Sequence, residues 1–182
     1  MDYPYSLDDY LNEVREYCYK KGIERPFVVA HSFGGRIALK GASNDQNFCS
    51  KLVLTGCAGL KPKKTIKKLA KKTAFNLLKI FLPREKLGKF YSPDYVGLSA
   101  TMKESFKLIV GETLDDSLQK ITVPTLIIFG EKDKETPLYM AKRLHKGIKN
   151  SSLSIYSGAG HFCFIDKPLK FNLEVREFLL SR

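Results

Sequence analysis

Apolar positions recur along this chain with two distinct periods. After Ser6-Leu7-Asp8-Asp9, a cap residue followed three positions later by an acid, the apolar residues Leu7, Tyr10, Leu11, Val14, Tyr17 and Cys18 return at helical spacing. This predicts a helix ending near Gly22. Beyond Pro26, Phe27-Val28-Val29-Ala30 is a short continuous apolar run of the kind buried on both faces of a parallel sheet. A second helix is predicted at residues 33–42, further strands at 51–55, 125–129 and 152–156, and further helices at 138–146 and 169–180. Strand and helix in repeated alternation predict an α/β fold, a parallel sheet of about four strands flanked by helices. Residues 61–118 break the rhythm, reading as two or three helices without a strand. The expected organisation is a core α/β segment over 1–60, a helical insertion over 61–118 and a second core segment over 119–182.

The candidate chemistry sits where predicted strands end. Ala30-His31-Ser32-Phe33-Gly34-Gly35 spans a strand-to-helix junction. Such a tight turn needs small flanking residues and lifts a serine hydroxyl clear of the sheet, making a nucleophile elbow. The backbone N–H of Phe33, at the start of the new helix, is the expected oxyanion donor. Gly34 and Gly35 are expected to let that helix pack closely on the sheet. A serine needs a general base and an acid that orients it. Asp133, in Gly130-Glu131-Lys132-Asp133, and His161, in Gly158-Ala159-Gly160-His161, each follow a predicted strand, which places both at the C-terminal edge of the sheet. Each has a plainer reading: Ser32 as a helix N-cap, Asp133 as a turn residue, His161 as a structural loop histidine. His31 is expected to point away from the site, and His145 to face solvent from a helix.

The order serine, aspartate, histidine, carried by HSFGG, GEKD and GAGH after successive strands, resembles the α/β-hydrolase family over nearly the whole chain. The resemblance implies Ser32 as nucleophile, Asp133 as orienting acid, His161 as base and Phe33 as oxyanion donor. It puts the 61–118 insertion in the place of the family's cap domain. Ala30 stands where the family usually has glycine, and a serine rather than an aspartate at position 32 argues against haloalkane dehalogenases and epoxide hydrolases. The implied activity is hydrolysis of a small carboxylic ester or thioester through an acyl-enzyme at Ser32. The family also carries roughly four further strands and a second oxyanion donor ahead of the helix that here opens at Ser6. The chain therefore resembles the family's C-terminal two-thirds. The alternative reading is an N-terminally truncated, non-catalytic fragment that self-associates, or binds a protein partner, through an exposed edge at strand 27–30.

Composition adds limits to this picture. The 182 residues are 43% hydrophobic and 27% charged, values of an ordinary globular chain. Lys plus Arg number 31 against 19 Asp plus Glu, a net charge of +12. Between Lys61 and Lys107 lie 13 basic residues and 3 acids, so the excess is concentrated in the insertion. Ile66, Leu69, Ala70, Thr73, Leu77 and Phe81 form a helical stripe there, with lysines on the other positions. The plain reading is a helix with a solvated basic face. Delivery of an anionic or carrier-bound acyl substrate is compatible with it, as is an anionic membrane surface. Nucleic acid is disfavoured because aromatics do not interleave the lysines. Cys18, Cys49, Cys57 and Cys163 form no CxxC pair and no metal-ligand spacing with histidine, so a reduced, cytoplasmic setting without a metal or cofactor is expected. No apolar run approaches the length of a membrane span.

Overall fold

The computed structural model describes residues 3–63 and 97–181. The chain runs α1 (Leu7–Lys20), β1 (Phe27–His31), α2 (Phe33–Asn44), β2 (Lys51–Thr55), α3 (Ala100–Gly111), a 3-10 turn (Asp115–Lys120), β3 (Thr125–Gly130), α4 (Leu138–Gly147), β4 (Ser151–Tyr156), α5 (Cys163–Asp166) and α6 (Pro168–Leu180). Four parallel strands lie side by side in the order β1-β2-β3-β4. All four therefore present their C-terminal ends at one edge. Of the expected insertion, residues 64–96, with the whole apolar stripe from Ile66 to Phe81 and most of the lysines around it, lie outside the described residues. Its remainder includes α3, and the 3-10 turn crosses the expected boundary at residue 118.

The two central strands are apolar on both faces because both faces are covered. Leu52, Leu54, Ile127 and Phe129 pack with Leu7, Leu39 and Leu144 of α1, α2 and α4 on one side. The alternate residues Val53, Leu126 and Ile128 pack with Tyr156, Cys163 and Val175 on the other. Strand β1 departs from the expected two-sided burial. Val29 is paired in register with Val53 and shares its face, yet is 49% exposed while Val53 is fully buried. Phe27 is exposed as well. α6 covers the middle of the sheet and leaves the β1 margin open.

Helix α1 begins as expected, with a reciprocal capping box between Ser6 and Asp9. Only Leu7 and Leu11 of its apolar stripe are buried, however. Val14 and Tyr17 of the second half are exposed, and Val14 lines a groove of about 580 Å³ with Val28 and Phe48.

Helix α3 is held over the start of α2 by two cations. Arg36 Nη1 donates to the carbonyls of Ile109 at 2.8 Å and Glu112 at 2.9 Å. The nearly buried Lys40 pairs with Asp8 at 2.7 Å and Glu112 at 2.8 Å, tying α1, α2 and the end of α3 together. Burial alone would pull Lys40 below its ordinary pKa, but hydrogen bonds to the two carboxylates outweigh it and the net direction is upward. Its charge is therefore kept.

Candidate active site

β1 ends at His31, α2 begins at Phe33, and Ser32 alone makes the turn. Its φ of 49° and ψ of −112° put a residue with a side chain in a sparsely populated region, at a cost of about 1–3 kcal/mol. Three backbone hydrogen bonds hold it there: Ser32 N–H to Thr55 O, and the N–H groups of Gly35 and Ala58 to Ser32 O, each at 3.1 Å. The Ser32 side chain makes no capping bond to α2. Ser32 thus occupies the N-cap position of α2 without capping it through its side chain. Packing at the elbow divides the two glycines. A side chain at Gly35 would collide with Cys57, whereas one at Gly34 would meet nothing within 4 Å, so the close approach rests on Gly35 alone.

The hydroxyl turns instead toward His161, with Oγ 3.1 Å from Nε2. The other ring nitrogen, Nδ1, lies 2.8 Å from Asp133 Oδ2. A carboxylate there only accepts, so Nδ1 carries the proton and Nε2 presents its lone pair to the serine hydroxyl. The Asp133 side chain is fully buried. Its charge is met by four donors: the N–H groups of Glu135 and Thr136 to Oδ1, both at 2.9 Å, and Thr136 Oγ1 at 2.8 Å and His161 Nδ1 to Oδ2.

The loops carrying the acid and the histidine brace each other. Glu131 N–H donates to Tyr156 O at 2.9 Å, Lys132 N–H donates to Ala159 O at 2.8 Å, and the Glu131 carboxylate accepts Gly158 N–H at 2.8 Å. Gly130 lies so close to the backbone of Ala159 and Gly160 that a side chain has no room. The registration of β3 against β4 thus becomes the registration of Asp133 against His161.

Structure brings Ser32, His161 and Asp133 together in one hydrogen-bonded chain, and Phe33 is the first residue of α2, a position whose N–H has no intrahelical acceptor. His31 does not point away as expected. Its ring centroid is 4.6 Å from that of His161, and its Nδ1–H donates to Thr55 O at 3.0 Å. Burial pushes its pKa down, and the neighbouring His161 adds to the effect. His145 is exposed, 3.0 Å from Ser151 Oγ. Three site residues were not foreseen. Thr136 follows Asp133 by three positions in Asp133-Lys134-Glu135-Thr136, a local turn pattern that was available to find it. Glu135, with Oε2 3.5 Å from His161 Nε2, carries no such signal. Gly56, at φ +48°, lets the backbone pass where a Cβ would lie 3.1 Å from both histidine rings.

Neither nearby thiol has nucleophile character. Burial pushes Cys57 up to about 12 and raises Cys163, whose Sγ lies 3.2 Å from Thr55 Oγ1. Among the described residues no three His, Cys, Asp or Glu side chains gather as a metal site, and no helix is long and apolar enough to cross a membrane. A cavity of about 420 Å³ opens at Ser32, walled largely by α3.

Comparison with known proteins places this arrangement in context. The residue pattern of the Alpha/beta hydrolase family matches residues 1–174. A proline iminopeptidase of Saccharolobus solfataricus is 25% identical, over 96% of this chain and 69% of its own length. An uncharacterized protein of Mycobacterium tuberculosis is 26% identical over 96% of this chain, which spans 62% of that relative. Among solved structures, an esterase from Exiguobacterium antarcticum superposes with a TM-score of 0.72 at 26% identity, covering 97% of this chain and 74% of the esterase.

Proposed function

The chain belongs to the alpha/beta hydrolase family, and from that premise we propose that it is a serine hydrolase cleaving a small carboxylic ester or thioester through an acyl-enzyme at Ser32. The observation that carries this reading is the unbroken relay from Ser32 Oγ through His161 to the buried, four-times-bonded Asp133.

In the first half-reaction Ser32 Oγ bonds to the acyl carbon while its proton passes to His161 Nε2. The carbonyl oxygen becomes an oxyanion beside Phe33 N–H. As the tetrahedral adduct collapses, the bond to the leaving oxygen or sulfur breaks, and His161 returns its proton to that atom. Water then repeats the sequence, releasing the acid and restoring Ser32. Asp133 keeps the imidazole in the required tautomer and stabilises its cationic form. A positioned base contributes about 100-fold to 10,000-fold, and one oxyanion donor about 100-fold to 1000-fold. The strained φ at Ser32 fits a side chain held for reaction rather than for capping.

Steady-state hydrolysis of p-nitrophenyl esters tests the reading. Wild type should turn over, and Ser32→Ala should lose at least about 1000-fold in kcat/KM. Equal rates for the two proteins would overturn it.

A second reading rests on β1, whose Phe27 and Val29 are about half exposed on the uncovered face. An apolar edge strand of this kind pairs with other chains. In this reading the protein is non-catalytic and self-associates, or binds a protein partner, through β1.

A further inference from the structure

The two sides of Ser32 differ in chemistry. On one side is the 420 Å³ cavity, whose apolar wall comprises Phe33, Leu98, Met102, Phe106, Ile109 and Val110. Met102, Phe106 and Val110 are each nearly half exposed, so apolar surface faces the opening. The cation at this wall is committed elsewhere. Arg36 turns Nη1 to the carbonyls of Ile109 and Glu112, where the C-terminal end of α3 favours positive charge. Ser105 Oγ is likewise engaged, donating to Thr101 O at 3.1 Å and accepting Tyr5 N–H at 2.8 Å.

His161, whose Nε2 is 3.1 Å from Ser32 Oγ, is not among the residues that line this cavity. Its Nε2 is 3.5 Å from Glu135 Oε2, and the Glu135 side chain is 68% exposed. Acyl transfer fixes which part of a substrate meets which side. The leaving atom must reach Nε2 to take its proton, so the leaving group passes the Glu135 carboxylate. The acyl chain is a different substituent of the same carbon, and the apolar cavity that opens at Ser32 can receive it.

We infer that the site selects esters whose acyl part is an apolar chain and whose leaving group is neutral or cationic, and that Glu135 discriminates against anionic leaving groups. The inference rests on the serine-hydrolase reading. It differs from the delivery of an anionic or carrier-bound acyl substrate, which is compatible with the basic residues of the 61–118 insertion. Attraction between charges falls with distance and is screened over about 8 Å at physiological salt, so a carboxylate within a few ångströms of the leaving atom acts more strongly on it than the net charge of the chain does.

The test compares kcat/KM across p-nitrophenyl acetate, butyrate, hexanoate and octanoate. It then compares two octanoates with charged leaving groups, 4-carboxyphenyl and 4-(trimethylammonio)phenyl, at low ionic strength. Fluorophosphonate labelling of Ser32 runs in parallel. Each buried methylene is expected to raise kcat/KM by up to about fourfold, so octanoate should exceed acetate by at least about tenfold. Met102→Trp, which fills the cavity, should bring that ratio toward one while Ser32 still labels. The cationic leaving group should be preferred in wild type, and Glu135→Gln should reduce its advantage over the anionic one by about twofold to fivefold. Labelled protein that prefers acetate, or whose charge preference ignores Glu135→Gln, would overturn this inference and leave the hydrolase reading standing. Protein that neither labels nor cleaves any ester would remove both.

Discussion

Thr136 closes a turn on Asp133, its amide donating to Oδ1 at 2.9 Å and its hydroxyl to Oδ2 at 2.8 Å. The carboxylate oxygen that holds His161 is thus itself held from behind. Thr136→Val keeps the shape and removes the hydroxyl donor, so Asp133 is freer to rotate and the imidazole less fixed. We expect kcat to fall about tenfold with KM little changed, and Thr136→Ser to restore most of the loss. A loss confined to KM, or no rescue by serine, would argue that Thr136 acts only in packing.

Asp133→Asn should be far more damaging than its near-isosteric shape suggests. An amide nitrogen facing Nδ1 would favour the tautomer with its proton on Nε2, where it cannot accept from Ser32. A loss in kcat of about 10,000-fold is expected, by analogy with the same change in a serine protease triad. Stopped assays with a p-nitrophenyl ester, with folding checked by circular dichroism, measure it. A loss of only a few fold would contradict the tautomer argument.

Gly56→Ala tests the space beneath the two histidines. The added methyl meets both rings at 3.1 Å, and the position has φ +48°. The backbone penalty alone is about 1 kcal/mol or more, and displacement of His161 should lower kcat disproportionately. Urea denaturation and kcat together check this: a stability loss with unchanged kcat would place the strain away from His161.

Stability should fall on mild acidification because of His31. Burial depresses its pKa below the ordinary 6.5 and His161 pushes the same way, while Thr55 O, Asp133 and Glu135 oppose them. A histidine with a depressed folded-state pKa binds fewer protons folded than unfolded. Its stabilising effect is therefore full above 6.5 and is lost as pH falls below it. The thermal midpoint should drop between about pH 7 and about pH 5.5, and less steeply in His31→Asn, which can still donate to Thr55 O. Parallel curves for the two proteins would refute this assignment.

Much of the fold was legible because the central strands follow one rule. Leu52-Val53-Leu54 and Leu126-Ile127-Ile128-Phe129 are continuous apolar runs, as a sheet covered on both faces favours, and the observed strands begin at the expected residues 51 and 125. β1 carries a similar run, but sequence alone does not say whether a helix covers each face, and Val29 proved exposed. α5 was missed because four residues cannot show a helical period. The positions of Ser32, Asp133 and His161 could be read from strand ends. Side-chain direction could not: the turn of His31 toward His161 and the approach of Glu135 depend on how separate loops meet in space.

Self-association of the second reading would show as a concentration-dependent mass in light scattering at micromolar protein. Val29→Lys, which places a charge on the exposed face of β1, should shift the protein to monomer. A monomeric wild type would exclude pairing through this edge.

The central claim is that Ser32 is an activated nucleophile. Its most direct measurement is reaction of the native protein with a fluorescent fluorophosphonate, read by intact mass and peptide mapping beside Ser32→Ala and heat-denatured wild type. One adduct per chain, on Ser32, formed only by folded wild type, is the expected result. A folded protein that gains no adduct, or gains it elsewhere, would contradict it.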